Sequence, residues 1–214
     1  MSNYEYIISS LPFLSADYKY AQGTGFADVM AEIRRDLTEK DVEALDFLLD
    51  GFKPEKLDAD FYASALSRKE PFLREYFRFD LNLRNAKVRY LNRQLDREPE
   101  KDVISGKGTD KEENLDIDGF RFTGGSFEEA GKVEAVLNGQ DLLEREKGLD
   151  DIVWEKVDSL ALFHYFDLSA VLAYVAKLHI VDRWLALDAE KGRELFRKLV
   201  DGVRGTFKGV NYKE

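Results

Sequence analysis

The chain has 214 residues, 44% hydrophobic and 35% charged, enough for one or two domains around a sizeable core. A formal net charge of −10 and a pI near 4.9 remove any global attraction to nucleic acid or to an anionic membrane. The absence of cysteine excludes disulfides, thiolate catalysis and cysteine metal sites.

The opening MSNYEYIISSLPFL has no basic stretch and only a short apolar run broken by serines, so it does not read as a signal peptide. Within it, YEYIIS is the one candidate strand. Helical spacing begins with a short amphipathic segment from Phe26 to Arg35. Thr38 then reads as an N-cap, with Asp41 in the first turn of TEKDVEALDFLLDGF. Val42, Leu45, Leu48 and Leu49 follow helical spacing there, and Gly51 closes the element. A further helix is expected over Asp58 to Leu66.

The longest helix follows, with Pro71 in its first turn, where proline is tolerated. Its body, EYFRFDLNLRNAKVRYLNRQLDR from Glu75 to Arg97, spreads apolar residues such as Tyr76, Phe77, Leu83 and Leu91, with Leu73 just before it, over more than half of its circumference. That width is expected of a helix covered on two sides, in the middle of a bundle. Arg78, Arg89, Arg93 and Arg97 fall along one drifting edge. The edge reads either as a solvated flank paired with acidic neighbours or as a protein-docking stripe.

Residues 98–125 are rich in charge and glycine with no sustained period, and read as a flexible linker with a short extended piece near Phe120. Ser126 with Glu129 forms a capping-box pattern. Short helices are expected over Asp141 to Lys147 and Asp150 to Leu162. An apolar helix follows over 168–187, then a last one from Asp188 to about Gly202. The apolar window carries Lys177, His179, Asp182 and Arg183, too polar for a membrane span. The expected class is all-α, in a soluble, cytoplasmic protein.

Two segments also align: Asp80 with Asp167, Leu81 with Leu168, Ala86 with Ala173, Val88 with Val175 and Leu91 with Leu178, with Asn82 and Ser169 as candidate caps. The alignment suggests a duplicated unit: an N-terminal bundle over 1–97 and a C-terminal bundle over 126–214, or one packed domain containing both.

Sites for catalysis are not legible. His164 and His179 lack zinc-ligand spacing, and His179 reads as a hydrogen-bonded core histidine. GKGTDKE lacks phosphate-loop spacing. Glu128 with Glu129 and Asp150 with Asp151 read as helix-start acids that favour the macrodipole. No catalytic, cofactor or metal residues are assigned, and the expected class is not an enzyme. The alternative, a helical ligand-binding or regulatory protein, needs a pocket where His164, Tyr165, Tyr174 and His179 converge.

NYEYIISSLPFL, FLREYFRFDLNLRNAKVRYLNRQ and LLEREKGLDDIVWEKVDSLALFHYFDLSAVLAYVAKLHIVDRWLALD together resemble an uncharacterised bacterial family encoded among the subunits of V-type ATPases. That family is itself similar to the C subunit of V-type ATPases, known as the d subunit in eukaryotes. Asn82-Leu83-Arg84-Asn85 and Leu172-Ala173-Tyr174 with Lys177 and Asp182-Arg183 carry the link. The resemblance implies repeated helical bundles, with room here for roughly two units. It implies a non-catalytic piece that couples the central stalk to the membrane rotor ring. Such a piece has no cofactor, does not bind nucleic acid, and is peripheral at the inner face of the membrane through protein partners. Arg78, Arg84, Arg89 and Arg93 are the candidate docking residues.

Overall fold

The computed structural model describes residues 3–15, 19–20, 25–104 and 127–187. Among them are eight α-helices and one minimal antiparallel strand pair. The helices are α1 (Tyr4–Ser10), α2 (Phe26–Asp36), α3 (Glu39–Asp50), α4 (Ala59–Leu66), α5 (Pro71–Gln94), α6 (Ala130–Leu137), α7 (Leu142–Ala161) and α8 (Leu168–Leu185). The strands β1 (Leu14–Ser15) and β2 (Lys19–Tyr20) pair Leu14 with Tyr20. The protein is an all-α helical bundle.

Most helix starts follow local chemistry. Thr38 accepts a hydrogen bond from the Asp41 N–H at the head of α3. Asp58 does the same for Phe61 (2.8 Å), Asp141 for Glu144 (2.8 Å) and Asp167 for Ala170 (3.1 Å). Pro71 opens α5.

Several expectations are corrected. YEYIIS is helical, because Tyr4, Ile7, Ile8 and Leu11 recur at helical spacing on one face and Asn3 caps the Tyr6 N–H. The two short helices expected over 141–162 are the single α7, which runs through Gly148. A Cβ at Gly148 would lie 2.9 Å from Val136 Cγ1, so the glycine marks a close crossing with α6 rather than a break. Asp150 and Asp151 consequently lie inside α7, not at a helix start. Asn82 is buried in mid-helix and Ser169 lies within the first turn of α8, so neither is a cap. The aligned segments therefore match the middle of α5 to the start of α8.

The main hydrophobic cluster draws on both sides of residues 105–126. Ile7, Ile33, Leu45, Leu48, Tyr62, Leu73 and Phe77 meet Val157, Leu172, Val175 and Leu178 in it. A second cluster packs Phe79 and Leu83 of α5 against Val133, Leu137, Leu149 and Ile152. Helix α5 thus buries two sides, in contact with α4, α6, α7 and α8. The segments 3–97 and 127–187 share one core. Gly51 permits this packing at the end of α3, where a Cβ would fall 2.2 Å from the Phe77 ring.

Residues 98–104, assigned to a flexible linker, are held against α5. Asn85 and Asn92 bind their main chain, and Ile104 packs on the main cluster. The remainder of that linker, the capping-box serine Ser126 and the helix expected from Asp188 lie outside the described residues. No described helix is long and apolar enough to cross a membrane.

Candidate functional site

The four candidate docking arginines all lie on α5, but in different surroundings. Arg78 bonds Glu75 Oε2 at 2.9 Å, one turn earlier, and is about one-third exposed. Arg93 is exposed near the helix end. Arg84 sits about 120° around the helix from Arg78, beside Tyr62 and Asp80, whose proton affinities its charge lowers. Arg89 is buried, at 10% side-chain exposure, in a two-pronged pair with Glu100: Nε and Nη2 each lie 2.7 Å from a carboxylate oxygen. The guanidinium holds the Glu100 carboxyl below the usual glutamate range. The expected stripe of Arg78, Arg89, Arg93 and Arg97 is therefore not one open face, since Arg89 is occupied, and Arg84, the further docking candidate, turns elsewhere.

Asn85 and Asn92 extend the Arg89 contact along the helix. The Asn85 amide takes both main-chain groups of Ile104, donating to its carbonyl at 2.8 Å and accepting from its N–H at 3.1 Å. Asn92 donates to the Pro99 carbonyl at 3.2 Å and the Lys101 carbonyl at 2.6 Å.

Two polar knots tie neighbouring helices together, one around Asp80 and one around Asp150. The Tyr62 hydroxyl donates to Asp80 Oδ2 at 2.6 Å. Burial raises the Asp80 proton affinity, opposed by the Tyr62 hydrogen bond and by Arg84 and Lys87. Burial likewise raises Tyr62 and Tyr76, Asp80 adding to both. Asp150 accepts from Arg183 and from the Trp184 indole N–H at 2.6 Å, joining α7 to α8. These groups satisfy one another and account for the buried charge in structural terms.

A surface cleft of about 440 Å³ lies between the α1–β1 stretch and the α7–α8 corner. Ile8, Leu11 and Phe13 line one wall, and His164, Tyr165 and Tyr174 the other. The Tyr174 hydroxyl donates to the Pro12 carbonyl at 2.8 Å and ties the walls together. His164 Nδ1 lies 2.5 Å from Asp167. Lys177 at the floor pairs with Asp158 and rides over the Trp154 ring. Around the cleft Leu162, Phe163, Tyr165, Phe166 and Phe13 are exposed, Phe163 by 82% and Phe13 by 81%.

Three of the four groups of the ligand-binding alternative therefore share this cleft. The fourth, His179, stacks on Phe52 with ring centroids 4.1 Å apart. It is half-buried by ring stacking rather than held as the hydrogen-bonded core histidine expected, and burial lowers its proton affinity. No group of three or more metal-ligating side chains forms among the described residues. Sequence reading passed over the exposed corner, although LFHYF between two helices carries a signal of its own, an aromatic run without helical neighbours to cover it.

A family model described as a protein of unknown function, DUF2764, matches residues 53–206, which include α4 to α8. No curated protein and no solved structure matches the chain.

Proposed function

The chain belongs to the DUF2764 family, and we propose that it is a non-catalytic component of a bacterial V-type rotary ATPase, similar to the C subunit, coupling the central stalk to the membrane rotor ring. The observation that carries this reading is the aromatic corner between α7 and α8. Leu162, Phe163, Tyr165 and Phe166 are all exposed at this one turn of the chain, and exposed apolar residues gathered in one place are of the kind that marks protein association. It lies inside the stretch LLEREKGLDD…LALD that resembles the ATPase-linked family. The exposed Arg93 and the partly exposed Arg78 supply polar anchors on a separate helix edge. Association through protein partners would hold the protein at the inner face of the membrane.

The cleft beside the corner supports the second reading, a helical ligand-binding or regulatory protein, because His164, Tyr165 and Tyr174 converge there. A tagged co-purification in mild detergent separates the two. Wild-type chain is expected to bring down stalk or ring proteins, and Phe163→Asp with Tyr165→Asp to lose them while remaining folded. An intact ATPase that never accompanies the wild-type chain sinks the rotary reading.

A further inference from the structure

Asn85, Arg89 and Asn92 follow one another along α5 at spacings of four and three, on one side of one helix. All three are buried, and each side chain hydrogen-bonds into residues 99–104. Two of the three reach main chain there. The Asn85 amide engages the N–H and C=O of a single residue, Ile104, a pattern that holds main chain whatever its side chain, while the stretch before it turns through Lys101 N–H to Glu98 and Val103 N–H to Glu100. Asn92 gathers two carbonyls. Arg89 reads a side chain, the carboxylate of Glu100.

The segment on this seam is lightly held. Residues 97–102 are exposed, and Ile104 is only partly buried. Asp96 (φ 50°) and Asp102 (φ 62°) adopt the left-handed conformation, which non-glycine residues rarely take, one before the segment and one within it. A short stretch with exposed backbone, few apolar contacts and strained joints belongs to the low end of local opening free energies.

We propose that the Asn85–Arg89–Asn92 seam is a recognition groove for a peptide segment that turns as residues 98–103 do and bears an acidic residue four positions before an apolar one, and that residues 99–104 occupy it in cis as a displaceable stand-in. The acid is read by the guanidinium fork, the apolar residue takes the place of Ile104, and the asparagines take the backbone between and beyond them. A basic residue at the acid's place meets Arg89 and is rejected. Displacement leaves the three buried side chains satisfied, since the incoming segment supplies the same groups that the outgoing one removes. This groove is separate from the aromatic corner and does not depend on the rotary ATPase reading.

The Ile104 N–H, bonded to Asn85, reports occupancy directly. Amide hydrogen exchange is followed by NMR in the full chain, with a synthetic peptide REPEKDVI, the sequence of residues 97–104, as the probe. Ile104 is expected to exchange at least about ten-fold faster than the core amide of Phe77, and faster still as peptide is added. Glu100→Ala is expected to lower the peptide concentration required by about ten-fold, by weakening the cis competitor. Replacing the probe's own glutamate at the place of Glu100 by lysine is expected to abolish its effect. This control alters only the peptide and needs no protein variant to fold. Arg89→Gln is expected to do the same from the protein side. Exchange of Ile104 at the Phe77 rate overturns the proposal, as does indifference of Ile104 to peptide in a folded Glu100→Ala chain. A lysine peptide as effective as the original overturns the acidic specificity.

Discussion

The chain turns away from a long helix twice, after α5 and after α7, and the two turns are built in opposite ways. After α5, the charged segment EPEKDVI folds back along the helix and is fastened by buried asparagines and an arginine. After α7, the aromatic segment LFHYF leaves Phe163 and its neighbours in solvent. Hydropathy alone would bury the aromatics, and they are exposed; it would expose the charges, and they are exposed yet tied down. What fastens a segment is whether its groups find partners, and a polar segment that faces a ladder of donors and acceptors finds more of them.

The contrast can be broken at its strongest point first. Asn85→Ala removes two hydrogen bonds to one residue and leaves the partly buried main-chain groups of Ile104 without these partners. A loss of about 2 kcal/mol is expected in urea unfolding. A loss under about 0.5 kcal/mol would mean that the segment is merely resting on α5. Glu100→Gln tests the charged link. Because Glu100 is 61% exposed, its effect is expected to be smaller, about 1 kcal/mol at neutral pH after solvent screening. The sign with pH follows from its depressed proton affinity in the folded chain. The pair's contribution is fully present above the ordinary glutamate range and is lost as pH falls through the depressed folded value. Wild type and Glu100→Gln should therefore converge in acid, and a gap that widens there would contradict the pairing. Phe163→Ser sharpens the other side. Its stability is expected to change by less than about 0.5 kcal/mol, because the ring makes little packing contact. Thermal unfolding that falls by many degrees would show the corner to be part of the core.

Much of the fold was legible because local signals agreed with tertiary demand. Thr38, Asp58 and Pro71 mark helix starts that the structure keeps, and the broad apolar girth of α5 foretold its place between two clusters. Misreadings arose where two signals competed. Tyr4-Glu5-Tyr6 alternates like a strand, yet the Tyr4, Ile7, Ile8 and Leu11 spacing won once α8 offered a surface. Gly148 looked like a break but serves a helix crossing. The site was less legible, since its pairs span distances that no spacing rule covers. Tyr62 reaches Asp80 across 18 residues, and Asn85 reaches Ile104 across 19 after a chain reversal. Arg78 and Arg89 looked equivalent on a helical wheel, and only the segment folded over Arg89 tells them apart.

The Tyr174 hydroxyl and the Pro12 carbonyl that it binds are 162 residues apart in the chain, and α1 rests on α8. A ribosome adds about 5–20 residues each second. Helix α1 therefore waits roughly 8 to 30 s for the α8 surface that covers Ile7. During that interval it has only α2 to rest on, and the apolar side chains that α8 will cover stay open to misassociation.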